Sequence, residues 1–477
     1  MYKKNTLNPI INLDQPVSRF DLERKFKVLW DDFNITEDEP HELLGIEAAG
    51  ANPYGRPPMF AVEQANEYLM KHPSSLTRYE DCNGLKFIRK ELVATVKSIG
   101  YKTSDDKLLT EENIAIAPGI NSSINTIYKY LRDKSLREQP DKTPCIITNN
   151  YFYTIPDISN VKFLSANSEI LIHDGVHPKE INDAIEKARK LNMNPILYYN
   201  VTPDNPTGTI TSKERALELS NIFRMPENSK IFVLNDLAYH FTYLNNGEKT
   251  YPIGGAGFQS AMMFGLSKIA GPGFRVSSIV SDREFIKSLE ISSFSEFMFP
   301  SIHSQLVLYF FFKKSNDKLR NHFLEEKRKH LNFNSKLMLV LINGLNSVKD
   351  LKTSELKKIH ELLEKKRVNN YKNLIKHGLN GISIINNPKA AFFHIIDFTS
   401  FRGQFFLNKE IMTGIDLAEV FYRISKSLLF PLDMLSLGNS NALLKKSTLL
   451  MRVSYSTSTS EIIDLFLNIK MLQDNLK

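Results

Sequence analysis

The sequence predicts an α/β protein: a three-layer sandwich on a mainly parallel, mixed sheet, with a second, smaller α+β domain. Three observations carry that expectation. Short apolar runs alternate with helical patterns through the middle of the chain. Side chains of reactive or ligand-binding type stand just after those runs. Beyond about residue 300 the texture turns long, charged and helical, then returns to strand-like sequence.

The elements follow in order. Residues 50–58, rich in Gly, Pro and Asn, read as a loop leading into the main domain. Apolar runs at 113–117, 145–148, 195–199, 231–234, 261–264 and 276–280 read as strands. Helical patterns lie between most of them, at 122–132, 178–191 and 212–224, the last opening with a Thr211/Ser212 cap and Glu214. Short buried strands separated by helices imply a mainly parallel sheet covered on both faces. From 321 to about 377 the chain is helical, with a break near 344–350, and strand-like runs follow at 391–397 and 449–455. The expected division is an N-terminal segment, 1–59, packing with the small domain; a large domain, 60–320; and a small C-terminal domain, 321–477, opened by a long linking helix. No internal repeat or low-complexity tract is present.

At 477 residues the chain is too long for one simple core. Its 61 basic against 53 acidic residues give a net charge of +8. Much of the excess lies at 313–330 and 352–377, where Lys, Glu and Leu interleave at helical spacing, as on solvated helix faces. Aromatic interleaving is missing there, so no nucleic-acid partner is expected. Two cysteines, Cys82 and Cys145, make no disulfide framework, and without a CxxC or Cys/His cluster no metal is expected. A reducing cytoplasm fits. The start lacks the apolar run of a signal peptide, and the apolar run 306–312 is far shorter than a membrane span.

In open α/β sheets, ligands bind beyond the carboxyl ends of strands. Gly119 follows the first strand, Tyr151 and Tyr153 the second, Asn205 the third, Asp236 the fourth and Lys268 the fifth, so five segments converge on one crevice. Lys268 stands among small residues with Arg275 seven positions on and Asp236 upstream. These are the parts needed to hold a pyridine-aldehyde phosphate: an amine for a Schiff base, a guanidinium for the phosphate, and a carboxylate to keep the ring nitrogen protonated.

Four motifs occur in order: Asn205-Pro206-Thr207-Gly208, Asp236-Leu237-Ala238-Tyr239, Ser267-Lys268 through Gly273-Phe274-Arg275, and Arg452-Val453-Ser454-Tyr455. From about Gly50 to Tyr455 the chain thereby resembles the fold-type I pyridoxal-phosphate enzymes, specifically the class I/II aminotransferases. The interval of seven between Lys268 and Arg275 looks like the aminoadipate-type and regulator-fused branches rather than the aspartate branch. The resemblance implies pyridoxal 5'-phosphate as cofactor, with Lys268, Asp236 and Tyr239 catalytic. Lys268 would form the Schiff base and Asp236 pair with the ring nitrogen. Tyr239 and Asn205 would hydrogen-bond the phenolic oxygen. Gly119, Ile120 and Asn121 stand where the family's phosphate loop lies, with Arg275 as counter-charge and Ser267 as the nearby hydroxyl. An aromatic, Tyr153 or alternatively Tyr151, would stack on the ring. Arg452 matches the arginine that grips the substrate α-carboxylate, with Gly50 and Asn205 also on the substrate side. Tyr79 resembles the tyrosine that reaches the neighbouring subunit's phosphate, which implies a homodimer with shared sites.

Three positions depart from the family pattern. Gly265 stands where many relatives carry a phosphate-binding serine, Ser277 replaces the usual glycine two after the arginine, and Ala390-Ala391 replaces a Gly-Gly pair. The stretch 321–368 is also longer than typical. The implied function is transamination between an amino acid and a 2-oxo acid. A lyase, cyclase or oxidase of specialised metabolism using the same cofactor is the alternative, and a non-catalytic binding protein of the same fold a third.

Overall fold

The structure is a computed structural model that describes residues 19–33, 46–149, 151, 160–166, 174–406, 408–436 and 448–476. Its contacts divide the chain into two units. The larger comprises Ala51–Asn332 and Asn387–Phe392. The smaller comprises the described residues up to Gly50, then Phe333–Asn386 and Phe393 onward.

The larger unit is built on seven strands: β1 (Ile114–Ala117), β2 (Thr143–Thr148), β3 (Lys162–Ser165), β4 (Met193–Val201), β5 (Phe232–Asp236), β6 (Ser260–Gly265) and β7 (Ser277–Ser281). Their order across the sheet is β1-β7-β6-β5-β4-β2-β3. The strands from β6 to β3 pair in parallel, while β7 runs antiparallel to both its neighbours. The mainly parallel mixed sheet read from sequence is thus observed. Strand β3, half-exposed at the sheet's edge, was not expected from the sequence.

Both faces are covered, which is why β5 and β6 are buried at every residue. On one face Ile147, Tyr198 and Val233 pack in one cluster with Ile181, Ile185, Leu219 and Phe223 of helices Pro178–Lys190 and Lys213–Arg224. The helices start where local chemistry dictates. His177 caps the first, with Pro178 at its first position and Glu180 closing a capping box, and Ser212 caps the second. Helix Ile120–Glu138 contacts β1, β2, β4, β6 and β7. It is preceded by Gly119 and has no side-chain cap.

In the smaller unit, four strands, β8 (Ser383–Ile384), β9 (Phe393–Asp397), β12 (Phe430–Pro431) and β13 (Leu450–Ser454), form an antiparallel sheet in the order β12-β13-β9-β8. A short hairpin, β10 (Phe405–Phe406) with β11 (Lys409–Glu410), stands apart. Helices Gly414–Ser425 and Thr459–Asn475 each open on a capping box, Thr413 with Asp416 and Ser458 with Glu461. Residues 46–48 are tied in by backbone bonds: Leu428 N–H donates to Ile46 (3.0 Å) and Ser454 N–H to Ala48 (2.8 Å).

Against the expected boundaries after 59 and 320, the contacts divide the chain at Gly50/Ala51 and Asn332/Phe333, and residues 387–392 return to the larger unit. The reason for the return is a close approach. Lys389 and Ala390 N–H both donate to the Gly208 carbonyl (2.9 and 3.0 Å), and Ala391 N–H donates to Thr242 Oγ1 (2.9 Å). Among the described residues no helix is long and apolar enough to cross a membrane.

Candidate active site

Lys268 and Arg275 share the loop that joins β6 to β7. That loop begins and ends at a cross-strand pair, Gly265 opposite Ser277, so it leaves and re-enters the sheet at one point. Leu266 O accepts from the N–H groups of Ile269, Ala270 and Gly271, which winds the chain tightly past Lys268. The Lys268 amine is partly buried, donates to the Ala51 carbonyl (3.1 Å) and lies 5.8 Å from the Tyr239 ring centroid. Ser267 beside it is partly buried. Arg275 has a left-handed backbone, φ 46°, where a non-glycine residue is strained. Its guanidinium reaches back to the Pro118 carbonyl (3.3 Å) and lies against Gly119.

Gly119 has φ 93°, and a Cβ there would come within 2.6 Å of Arg275 Nη2. Only a glycine lets this guanidinium sit at the start of helix Ile120–Glu138, beside partly buried Ile120 and exposed Asn121. A helix N-terminus and a forked cation together suit a phosphate dianion.

Asp236 ends β5 and is fully enclosed. Its Oδ1 accepts from Ala238 N–H (2.9 Å) and its Oδ2 from the Tyr199 hydroxyl (2.6 Å). Burial pushes its pKa up; the Tyr199 hydroxyl, the Ala238 N–H and the nearby Lys268 ammonium act in the opposite direction. Tyr239, three residues on, is buried against Phe392 with ring centroids 5.5 Å apart.

Asn205 is buried in the loop after β4, which follows a cis Thr202–Pro203 peptide. Asp204 holds that loop, accepting from Thr207 Oγ1 (2.6 Å), Thr207 N–H (3.2 Å) and Asn149 Nδ2 (3.2 Å). Burial pushes the Asp204 carboxyl up to about 6. A Cβ on Gly208 would lie 2.4 Å from Pro388 Cβ and 2.6 Å from the Ala390 carbonyl, so the close approach of 388–390 demands glycine there. Neither Tyr199 nor Asp204 was singled out from the sequence. Tyr199 lies inside an apolar strand run, and Asp204 reads as an ordinary turn residue.

Of the remaining expected residues, Tyr151 is buried, while Tyr153 lies outside the described residues. Tyr79 is 83% exposed and edge-on to Phe299. Gly50 and Arg452 belong to the smaller unit. A Cβ on Gly50 would collide with the Glu47 carboxylate. Arg452, buried on β13, has its guanidinium between the rings of Phe393 (4.3 Å) and Phe430 (4.4 Å) and donates to the Ala49 carbonyl (2.6 Å).

The sequence model of the family described as Aminotransferase class I and II matches residues 48–401. The chain belongs to this family. Among curated relatives it is 30% identical to 1-aminocyclopropane-1-carboxylate synthase 11 of Arabidopsis thaliana over 32% of its length and 33% of the synthase. It is 24% identical to an uncharacterized aminotransferase of Saccharolobus solfataricus, over 52% of the chain and 59% of the relative. These alignments thus span less than two thirds of either relative. Solved aminotransferases share the fold along nearly all of the chain. The multiple substrate enzyme of Thermococcus profundus gives a TM-score of 0.66 at 16% identity, covering 96% of this chain and 97% of that one. A Thermus thermophilus aspartate aminotransferase double mutant gives 0.64 at 15%, covering 97% and 99%.

The departures from the aminotransferase pattern have local explanations. A Cβ on Gly265 would lie 2.7 Å from the Val276 carbonyl and 3.0 Å from Ser277 Cβ. Both atoms lie at the head of the opposite strand, where Ser277 pairs with Gly265 and its Oγ bonds Ser123 Oγ (3.2 Å). Ala391 holds φ 62°, a conformation that suits glycine better.

Proposed function

We propose that this aminotransferase-family chain moves an amino group between an amino acid and a 2-oxo acid, using pyridoxal 5'-phosphate, as a homodimer in the cytoplasm. One observation carries the reading: the Lys268 amine lies 5.8 Å from the ring of Tyr239, three residues after the buried Asp236, in the same unit as the glycine-backed Arg275 cradle. These residues fit the cofactor, whose aldehyde and electron-withdrawing ring, when bound, supply the chemistry that side chains lack. Arg275, Ser267 and the turn Gly119-Ile120-Asn121 bind the phosphate; the Gly119 N–H itself is spent on the Ala117 carbonyl (2.8 Å), so the glycine serves by leaving room for Arg275. Asp236 keeps a proton on the ring nitrogen. Asn205 and Tyr239 orient the ring through its phenolic oxygen, and Tyr151 or Tyr153 stacks on it. Lys268 would take a proton from the substrate Cα and hand it to the carbon that derives from the cofactor's aldehyde, for which its amine must be neutral part of the time. Arg452 holds the substrate α-carboxylate, with Gly50 beside it, and Tyr79 reaches the partner's phosphate. Both cysteines are free, and Cys145 is buried, which suits a reducing compartment.

A second reading, loss or cyclisation of a side-chain substituent, is favoured by the likeness to the plant synthase. The test is a panel of amino acids offered to the purified holoenzyme, with products followed by mass spectrometry. Transamination gives the 2-oxo acid without free ammonia. Release of ammonia or of a side-chain fragment supports the second reading. Borohydride treatment should leave a cofactor-sized mass on the peptide containing Lys268, absent in Lys268→Ala; no such mass would refute both readings.

A further inference from the structure

We infer that Tyr199 is a positioning residue for Asp236, holding that carboxylate ionised and aimed at the ring nitrogen of the bound cofactor. The inference rests on the cofactor reading above. It begins with register. Strands β4 and β5 pair Tyr199 with Leu234 and Val201 with Asp236, and side chains two apart on a strand share a face. Tyr199 and Asp236 therefore project from the same face of the sheet, one pleat apart, and the phenol spans the gap to Oδ2 at 2.6 Å. That distance is typical of a hydroxyl on a charged oxygen.

A fully enclosed carboxylate tends to take up a proton and so lose its charge. Of the groups that oppose this, the Tyr199 hydroxyl acts most strongly, ahead of the Ala238 N–H and Lys268. Tyrosine suits the task better than a cation would. A phenol stabilises the anion through a hydrogen bond yet adds no positive charge, so the full negative charge remains for the ring nitrogen. The carboxylate accepts one bond at each oxygen and keeps a lone pair on each for a further donor.

Tyr128 provides the internal comparison. It is equally buried, stands edge-on to the Tyr199 ring at 6.1 Å, and its hydroxyl bonds nothing among the described residues. It is thus a phenol of similar burial, on helix Ile120–Glu138 beside the sheet, that packs without holding the carboxylate.

The test compares Tyr199→Phe, Tyr128→Phe and wild type by equilibrium titration of the apoprotein, first with pyridoxal phosphate and then with its 1-deaza analogue, in which C–H replaces the ring nitrogen. Circular dichroism checks that each variant is folded. Tyr199→Phe should weaken pyridoxal phosphate binding about tenfold or more, because a hydrogen bond to a charged group is lost. It should also move the acid limb of binding to higher pH, since Asp236 then protonates more readily. With the deaza analogue it should match wild type, and Tyr128→Phe should match wild type with both ligands. Unchanged binding of pyridoxal phosphate by Tyr199→Phe, or an equal loss with the analogue, overturns the inference alone. A wild-type protein that takes up no pyridoxal phosphate overturns the cofactor reading and this inference together.

Discussion

Gly119→Ala should strip the protein of much of its hold on phosphate while leaving the fold in place. The new Cβ would lie 2.6 Å from Nη2, 2.9 Å from Cζ and 3.3 Å from Nη1 of Arg275. To restore ordinary contact the guanidinium has to retreat by about 1 Å. Among the described residues Arg275 is exposed and held by bonds of 3.3 and 3.4 Å to the Pro118 and Pro272 carbonyls, which are long enough to give way. The alanine also inherits φ 93° with ψ 158°, a conformation kept almost wholly for glycine, at roughly 1–3 kcal/mol of backbone strain. Losing one charge-assisted bond to the phosphate removes about 1.5–3 kcal/mol of binding, which is a rise in Kd of roughly tenfold to a hundredfold. Titration of the apoprotein by visible absorbance measures it, with pyridoxal, which has no phosphate, as the matched control. An unchanged Kd for pyridoxal phosphate, or the same loss with pyridoxal, would refute the assignment of this cradle to phosphate.

Two further outcomes follow from buried groups. Gly265→Ser brings a Cβ within 2.7 Å of the Val276 carbonyl and 3.0 Å of Ser277 Cβ and should cost about 1–3 kcal/mol in urea denaturation. Adding Ser277→Gly removes the Ser277 Cβ but not the Val276 carbonyl, so the double variant should stay destabilised, and full recovery would show that the backbone carbonyl sets no limit at residue 265. Asp204, pushed from 3.8 up to about 6, keeps a proton in the folded state that the unfolded chain has released. Wild-type stability should therefore fall as pH rises from about 4 to about 6, by up to roughly 3 kcal/mol from this group. Asp204→Asn carries no such proton, so the stability difference should move in the variant's favour across that window. A difference independent of pH between urea melts at about pH 4.5 and 7.5 would mean that Asp204 does not titrate there.

Most of the sheet was legible because its strands are unbroken apolar runs flanked by capped helices, as with β5 before Asp236 and Ser212 before helix Lys213–Arg224. Strand β3 was not, since half-exposed Lys162–Ser165 carries no distinct pattern. The motif residues of the larger unit could be picked out because they stand at or just after strand ends, where sequence punctuation is strong, whereas Arg452 lies inside β13. What supports them was hidden, because it depends on register between strands. Tyr199 is one tyrosine of an adjacent pair, and only pairing with β5 turns it toward Asp236 while Tyr198 stacks on Phe223. That Gly265 and Ser277 stand opposite each other likewise depends on the pairing of β6 with β7. The return of 387–392 to the larger unit had no local signal, because those residues run straight on into β9.

That return constrains how the protein is made. The patch that covers Gly208 and meets Thr242 is encoded more than 140 residues after the loop it closes. During synthesis the seven strands of the larger unit emerge from the ribosome well before Lys389 does, so the nascent domain waits with the Asn205 loop uncovered. A ribosome stalled near residue 340 would hold a chain with every strand of that sheet but with this latch still untranslated.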